Sequence, residues 1–408
     1  MVSQRVQLSR HTLGDLLDVT RGMSLPGTNY ATSGELIRLT LGNFDYSGNG
    51  FKENTSKDNI FYTGSVPEEF IMNAGDIITP LTEQTPGLLG TTARIPISGK
   101  YIQSQDVALI TCKPGKLDPL FCYYLVSSSI VKQQLAAGSQ QTKIRHTSPD
   151  KIKACVVFIP EDLTVQHKIG AFLTAIDDKI ALNRKTNVEL EALAKQIYDY
   201  WFVQFDFPDA NGRPYKSSGG KMVWNDSLKR TIPDGWSNAT LEDYCQMYQP
   251  KTLGLKELAP NGKYRVYGAN GLIGYYDEYN HSKSEIAIAC RGNSCGAVNR
   301  SMPYSWITGN AMVMKMRDES IHNEFIAQSV PYININGAIS GSGQPQLTRE
   351  NLNPIKLIKP SRDTLLLYSK VVEPIVQLQL SNQDEIDQLE EYRNDILPLL
   401  MNGQVSVS

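Results

Sequence analysis

Short runs of hydrophobic residues, separated by turns rich in glycine, asparagine and serine, occupy two long stretches of the chain. The first stretch contains "GDIITPL", "DVALITCK" and "KACVVFIP", and the second contains "KYRVYG", "EIAIACRG", "AMVMKM" and "PIKLIKP". Runs of about four to eight residues bounded by turn formers are typical of β-strands. We therefore predict two compact domains, each built around a small β-sheet.

A helical period follows each of these stretches, because hydrophobic residues recur there in steps of three or four. The first set is Ile169, Leu173, Ile176, Ile180, Asn183, Asn187, Leu190, Ala194, Ile197 and Trp201. The second set is Tyr368, Val371, Ile375, Leu378, Asn382, Ile386, Leu389, Tyr392, Ile396 and Leu399. Such spacing gives one narrow apolar face, and an asparagine on it fixes the register of paired helices at a cost in stability.

Two arrangements of these helices stay open at this point. Each helix packs on its own domain, or the two helices pair with each other. Their matching lengths and their matching asparagine interruptions favour pairing. Pro374 predicts either a kink in the second helix or a start at that residue.

The two halves of the chain repeat one order of elements. Each half opens on a Thr-Leu segment with an acid, "TLGDLLDV" at 12–19 and "TLEDYCQM" at 240–247. Each also places a Gly-Ser segment with glutamine, "GSQQTKI" at 138–144 and "GSGQPQL" at 341–347, before its last strand. Tandem duplication explains this order. The predicted fold class is α+β with a pseudo-two-fold internal repeat.

The predicted boundaries follow from these patterns. The two domains span 1–160 and 231–360, the long helices span 161–207 and 361–408, and a linker rich in glycine, serine, proline and lysine spans 208–230.

Composition narrows the functional classes. The chain has 408 residues, is 41% hydrophobic and 20% charged, and carries a formal net charge of −2, so any surface that binds DNA has to be local. Six cysteines without a C-x-x-C pair favour a reducing, cytoplasmic compartment and no zinc site. No apolar run is long enough to span a membrane.

Catalytic signatures are missing from the sequence. No P-loop motif is present, and "SMPY" at 301–304 and "SVPY" at 329–332 each lack one proline of the loop by which amino-methyltransferases hold the target amine. The five histidines are far apart in the sequence. These observations predict a binding protein and not an enzyme.

Two segments carry a resemblance to a known family. "FLTAIDDKIALNRKTNVELEALAKQIYDYWFVQFDFPD" at 172–209 strongly resembles the central region of the specificity subunits of type I restriction-modification systems. "YRNDILPLLMNGQV" at 392–405 resembles the distal repeat of the same family, and "IPDGW" at 232–236 also fits its pattern. The resemblance extends over essentially the whole chain in the expected order.

The resemblance implies a fold and a set of partners. Two target-recognition domains would each read one half of a bipartite double-stranded DNA target, separated by a long antiparallel coiled coil of the two helices. Two modification (methyltransferase) subunits would bind the chain, carry S-adenosylmethionine and methylate adenine. Restriction subunits would add ATP and Mg. The chain itself would be a non-catalytic reader and scaffold without a cofactor, in the cytoplasm of a bacterium or archaeon.

Polar loops between strands are the expected places for side chains that read bases, because arginine and lysine pair with guanine whereas asparagine and glutamine pair with adenine. The predicted DNA-binding residues of the first domain are Glu83, Gln84, Thr85, Gln140, Gln141, Lys143 and Arg145. Those of the second domain are Asn270, Arg291, Asn293 and Ser294, with Gln344 and Gln346 as weaker candidates. The alternative for each loop is a solvated turn whose residues merely suit turn geometry.

The aromatic segment "YDYWFVQFDF" at 198–207 has too many rings for one helix face. Trp201, Phe202 and Phe205 are predicted to bind a methyltransferase subunit, since aromatic anchors dominate such interfaces. The alternative is that they fill the junction between the helix end and the domain.

Two other functional classes stay open on the sequence alone. A stand-alone DNA adenine methyltransferase with its own recognition domain would bind S-adenosylmethionine by itself. A duplicated coiled-coil adaptor would join proteins and never read DNA.

Overall fold

A computed structural model gives the structure of residues 6–45, 49–83, 87–138, 145–341 and 343–407. The chain divides into two compact units, Met1–Asn183 with Glu385–Ser408 as unit 1 and Arg184–Asp384 as unit 2. Each unit thus contains one globular part together with a portion of both long helices. All six cysteines are free. Among the helices in the described part of the chain, none has the length and apolar character needed to cross a membrane.

The described residues of unit 1 form twelve short strands, and most of the helices among them are short. The strands are β1 Ser9–Thr12, β2 Leu17–Arg21, β3 Tyr30–Ala31, β4 Leu36–Arg38, β5 Phe61–Tyr62, β6 Ile77–Pro80, β7 Thr82–Glu83, β8 Ala93–Arg94, β9 Tyr101–Ile102, β10 Val107–Cys112, β11 Arg145–His146 and β12 Val156–Ile159. The helices are α1 Leu13–Leu16, α2 Pro119–Val126, α3 Ser129–Ala137, α4 Pro149–Lys153 and the long α5 Leu163–Tyr198, which continues into unit 2.

Unit 2 contains the remaining elements. The strands are β13 Met222–Asn225, β14 Arg230–Pro233, β15 Ser237–Thr240, β16 Cys245–Tyr248, β17 Tyr264–Gly268, β18 Gly271–Tyr276, β19 Ile286–Ala289, β20 Val298–Arg300, β21 Trp306–Ile307, β22 Ala311–Met316 and β23 Lys356–Lys359. The helices are α6 Leu241–Tyr244, α7 Glu324–Ser329, α8 Arg349–Leu352 and the long α9 Arg362–Met401, whose last part belongs to unit 1.

The central sheet of each unit has four strands in the same order. It is β2-β10-β6-β8 in unit 1 and β16-β22-β19-β20 in unit 2. In both units a further small sheet contains a parallel pair, β4 with β9 and β17 with β21. In both units the strand before the Thr-Leu turn pairs with the last strand, β1 with β12 and β15 with β23. The seven hydrophobic runs predicted as strands all contain one, so these predictions are confirmed.

The Thr-Leu segments open both units in the same way. The backbone amide of Thr12 donates to the Asp15 carboxylate at 2.8 Å, and that of Thr240 donates to Asp243 at 2.7 Å. Each acid therefore caps a one-turn helix between two strands. The repeat that the sequence indicated is present in the local hydrogen bonds as well as in the strand order.

The long helices contact each other within each unit. In unit 1, Ile176 and Ile180 of α5 cluster with Ile386 of α9, and the Asn183 side-chain amide donates to Glu385 at 2.7 Å. Arg393 of α9 donates to the Asp177 carboxylate at 2.6 Å.

In unit 2, asparagine side chains make hydrogen bonds between the two long helices. The Asn382 amide donates to the Asn187 side-chain oxygen at 2.9 Å, and the Asn187 amide donates to the backbone oxygen of Gln379 at 3.2 Å. Gln379 in turn donates to Glu191 at 3.2 Å. Within each unit, later residues of α5 meet earlier residues of α9. The asparagines predicted to interrupt the apolar faces therefore pair with the opposite helix.

Some residues predicted to lie on the apolar face of α9 are exposed, and in places a neighbouring residue is buried instead. Leu378 and Tyr392 are exposed, whereas Val372, Val376 and Arg393 are buried. Neighbouring apolar residues, such as those at 371–372 and 375–376, fit the helical period equally well, so the sequence pattern does not show which of them faces inward. An arginine is not expected on an apolar helix face from the sequence alone, because the acidic partner that allows its burial is not visible there. The suggestion that this helix begins at the proline is also wrong, since α9 begins at Arg362.

The predicted linker at 208–230 is ordered. It contains β13, which pairs with β14 in an antiparallel hairpin, and Tyr215 stacks on Phe207 with ring centroids 4.8 Å apart. Its role as a linker stays a prediction.

Candidate nucleic-acid interface

Two of the seven predicted base-reading residues of the first domain, Glu83 and Arg145, are described, and they meet where β7 pairs with β11. Glu83 lies opposite Arg145 in this two-stranded sheet, and the Arg145 guanidinium is 3.4 Å from the Glu83 carboxylate. Gln84, Thr85, Gln140, Gln141 and Lys143 lie outside the described residues, so their role stays a prediction.

Glu83 organises the backbone and does not present a free carboxylate. Its Oε2 atom accepts the backbone amides of Gly87, Leu88 and Leu89 at 3.1, 3.0 and 3.1 Å. The residue is 2% exposed. With Oε1 facing Arg145, both carboxylate oxygens are engaged within the protein, so we assign Glu83 to positioning the backbone at 87–89, and its contact with DNA stays a prediction. Arg145 keeps a third of its side chain exposed and stays a predicted DNA contact.

Replacing Glu83 with alanine should lower the free energy of unfolding by about 1–3 kcal/mol, because two buried amides and one partly buried amide lose their acceptor. Denaturant unfolding measures this loss. Glu83→Gln keeps an acceptor oxygen and should recover part of the stability. A Glu83→Ala variant of unchanged stability that alters the preference at a single base position would contradict the positioning role.

The second domain shows the equivalent arrangement. Arg291 follows the central strand β19 and forms an isolated bridge with Gln346, flanked by hydrogen bonds from Gly292 to Pro345 at 3.2 Å and from Leu347 to Cys290 at 2.9 Å. The pairing of β7 with β11 occupies the equivalent position in unit 1, because β7 follows the central strand β6 as Arg291 follows β19. In the sequence, the first Gly-Ser segment ends directly before Arg145 of β11, and the second contains Gln346 of the bridge.

Most predicted residues of the second domain lie near this bridge. Arg291, Asn293 and Ser294 share the turn after β19, with Arg291 and Asn293 exposed, and Gln344 is exposed on the opposite segment. Asn270 occupies a separate turn between β17 and β18, where Gly271 has φ +100°. The structure therefore groups four of the five residues, and their contact with DNA stays a prediction.

The aromatic residues predicted to bind a partner are buried. Trp201, Phe202 and Phe205 are all in the hydrophobic core of unit 2, on or next to a π-helical turn at Asp199–Val203. They offer no exposed anchor in this chain, because their rings pack on neighbours from the domain and from α9. The structure supports the alternative that they fill the junction between helix and domain.

A polar cavity of about 460 Å³ in unit 1 was missed at the sequence level. Arg38 at the end of β4 lines it, together with Thr40, Asn54, Asp106 and His146. The only sequence signal was an arginine at the end of an apolar strand, "ELIRL". Within the described ranges, no cluster of three or more histidine, cysteine, aspartate or glutamate side chains is placed to hold a metal ion.

Comparisons with known proteins agree with this arrangement. Residues 10–192 and 233–391 match the family model of the type I restriction modification DNA specificity domain. The chain is 22% identical over 355 residues to the type I restriction enzyme MjaIX specificity subunit of Methanocaldococcus jannaschii, covering 79% of this chain and 78% of that protein. It is 23% identical over 375 residues to the HindI specificity subunit of Haemophilus influenzae, covering 75% and 81%.

A solved structure shows the same fold. The crystal structure of a type I restriction-modification S subunit from M. genitalium has a TM-score of 0.64 at 18% identity, covering 98% of this chain and 97% of that one. Because the two family matches together span well over half of the sequence, this chain belongs to the family of type I restriction-modification DNA specificity subunits, which are non-catalytic DNA-recognition proteins.

Proposed function

We propose that this specificity subunit reads a bipartite double-stranded DNA target, one half-site for each globular part, and serves as the scaffold of a cytoplasmic complex. The observation that carries the proposal is the repeated architecture. Both units have the same central strand order, and both place polar residues at the same bridge beside that sheet. A chain that presents the same surface twice suits a target with two specified parts.

The long helices are proposed to form an antiparallel coiled coil that sets the gap between the half-sites. Helix α5 has 36 residues and α9 has 40. At about 1.5 Å per residue these are about 54 and 60 Å long. At about 3.4 Å per base pair, the longer helix limits the gap to about 17 base pairs. The contacts between the helices within each unit support this role.

The partners are proposed to carry the chemistry. Two methyltransferase subunits bring S-adenosylmethionine and methylate adenine, and two restriction subunits, where present, bring ATP and Mg. This chain contributes recognition and takes no cofactor. Family membership supports this proposal over a stand-alone adenine methyltransferase and over an adaptor that does not bind DNA.

Lengthening both helices should widen the gap and leave the half-sites unchanged. Seven residues inserted after Asn183 in α5, with seven more after Asp384 in α9, add about 10 Å to each helix and should add about three base pairs to the gap. Mapping N6-methyladenine across the genome of a host that carries the chain and its methyltransferase partner measures both the gap and the half-sites.

An insertion of equal length after Gly219, in the turn that precedes β13, is the matched control and should leave the gap unchanged. Altered half-sites with an unchanged gap in the helix variant would refute the proposal that helix length sets the gap. A wild-type map without any bipartite motif would refute the proposed function itself.

A further inference from the structure

The cavity beside β4 holds an arginine whose charge is not neutralised. Arg38 is 8% exposed, and no carboxylate of the described residues lies within 4 Å of its guanidinium. Its Nε and Nη2 atoms donate to the backbone oxygen of Asn59 at 3.3 and 3.2 Å. Its Nη1 atom has no hydrogen-bond partner among the residues that the structure describes.

The guanidinium is held in place before any ligand binds. Its central carbon lies 4.0 Å from the centroid of the Tyr30 ring, and Tyr30 is fixed by a hydrogen bond from its hydroxyl to the Leu25 backbone oxygen at 3.1 Å. Stacking on an aromatic face and donation to a carbonyl both fix the plane of the fork. The arginine therefore loses little conformational freedom when it binds.

The wall next to Arg38 is a hydrogen-bonded polar network. The Asn54 amide donates to the Thr40 hydroxyl at 2.8 Å, and the Asn54 oxygen accepts the Ser56 amide and hydroxyl at 3.0 and 2.6 Å. Gly42 allows the close approach, because a Cβ atom there would lie 2.6 Å from the Asn54 side chain. The cavity is thus a built polar site.

Nη1 has no partner among the described residues and yet is not one of the fully buried polar atoms, so it can be reached from the cavity. A ligand that enters the cavity can therefore supply acceptor atoms to Nη1 and pair with the positive charge. In a protein that recognises DNA, the acceptors are phosphate oxygens or the O6 and N7 atoms of guanine.

The acidic residue of the cavity favours a base edge over a phosphate, although the exposed Lys57 also lines the cavity. Asp106 lines the same cavity, and its carboxylate repels a phosphate but accepts a hydrogen bond from the amino group of cytosine. A G·C pair presents guanine acceptors beside a cytosine donor in the major groove. Arg38 supplies donors and Asp106 supplies an acceptor in the same cavity, which are the two kinds of group that such a pair requires.

We propose that Arg38 is a specificity-determining residue that donates to a guanine in the half-site read by unit 1. This inference rests on the proposed bipartite recognition and deepens it. The DNA-binding residues predicted from the sequence lie in polar loops between strands, whereas Arg38 adds the end of β4 to the recognition surface.

The test uses the complete complex of the chain with its methyltransferase subunits and duplexes that carry the mapped target. Each guanine of the target is replaced in turn by 7-deazaguanine, which lacks the N7 acceptor. For the wild type, one guanine in one half-site should lose about tenfold to a hundredfold in affinity. Arg38→Ala should bind the natural target with a similar loss and should no longer distinguish that guanine from its analogue.

Two further variants distinguish a contact with a base from a contact with a phosphate. Arg38→Lys keeps the charge but loses the flat fork, so it should keep the salt dependence of binding and lose the guanine preference. Lys57→Ala removes an exposed cation from the same cavity and is the matched control. It should weaken binding equally for all sequences. Thermal unfolding of each variant shows whether it is folded, and the analogue series on the wild type needs no variant.

Three outcomes would overturn the inference about Arg38. The proposed function would still stand in each case if the N6-methyladenine map of the wild type shows a bipartite motif. The first is a target without guanine in either half-site. The second is equal loss with Arg38→Ala for every sequence together with a shallower salt dependence, which indicates a phosphate contact. The third is a folded Arg38→Ala variant with unchanged affinity and specificity.

Discussion

Truncation of Phe202 to alanine is expected to lower the free energy of unfolding by about 3–5 kcal/mol, the usual cost of removing a buried ring. The side chain is 1% exposed. Its ring centroid lies 5.1 Å from that of Tyr198 at the end of α5, 5.0 Å from Phe325 in α7 and 4.9 Å from Tyr368 in α9. One ring thus joins both long helices to the globular part of unit 2, and its removal leaves a cavity that these three elements cannot close by small shifts.

Denaturant unfolding of the purified chain measures this effect, and Tyr200→Ala is the matched control. Tyr200 lies on the same π-helical turn but is 39% exposed, so its truncation should change the unfolding free energy by only about 0.5 kcal/mol. If Phe202→Ala unfolded like the wild type and yet failed to co-purify with the methyltransferase subunit, the ring would be a partner anchor and its placement in the core would be wrong.

The positions of the strands could be predicted from the sequence because their signal is local. Runs such as "DVALITCK" are short, apolar and bounded by turns, and β10 lies at Val107–Cys112 as expected. The repeat was also visible, since "TLGD" and "TLED" each contain the acid that caps the following turn. Which strands pair depends on contacts between residues far apart in the chain, and the spacing of the runs carries no information on it.

The register of α9 shows a second limit. The period of three to four holds along the whole helix, but the apolar pairs around Val372 and Val376 fit two registers equally well. Only the opposite helix selects one. Arg393 could not be assigned to the buried face from the sequence, because the Asp177 carboxylate that makes its burial tolerable is 216 positions away.

For the candidate site, too, some features could be predicted from the sequence and others could not. Polar residues in loops after central strands could be identified, and the structure brings Arg291, Asn293 and Ser294 together. The surroundings of Glu83 and Arg38 could not be foreseen. Glu83 looks like a base acceptor until its three backbone donors are known. Arg38 looks like a surface arginine until its stacking on Tyr30 is known.

Arg393→Ala is the second substitution for which we expect a large effect, a loss of about 3 kcal/mol or more in unfolding free energy. Arg393 of α9 donates to Asp177 of α5 at 2.6 Å, and the Tyr124 hydroxyl of α2 donates to the other Asp177 oxygen at 2.6 Å. Burial and the nearby carboxylate raise the pKa of Tyr124 above its ordinary value, so the hydroxyl stays protonated and remains a donor. The three groups tie both long helices to the globular part of unit 1.

Removing the arginine alone leaves the Asp177 carboxylate partly buried with only the tyrosine as donor, and the desolvation cost of that charge is then no longer offset. Removing the whole network should be much milder, because a well-packed apolar replacement of a buried ion pair is often neutral. We therefore expect the triple variant Asp177→Leu, Arg393→Leu, Tyr124→Phe to unfold at a higher denaturant concentration than Arg393→Ala. Lys179→Ala, which breaks the half-exposed pair with Glu385, should cost at most about 1 kcal/mol. If Arg393→Ala cost no more than Lys179→Ala, the attraction of Asp177 for the arginine would be as weak as at a solvated surface, and the network would not be what holds the helices to unit 1.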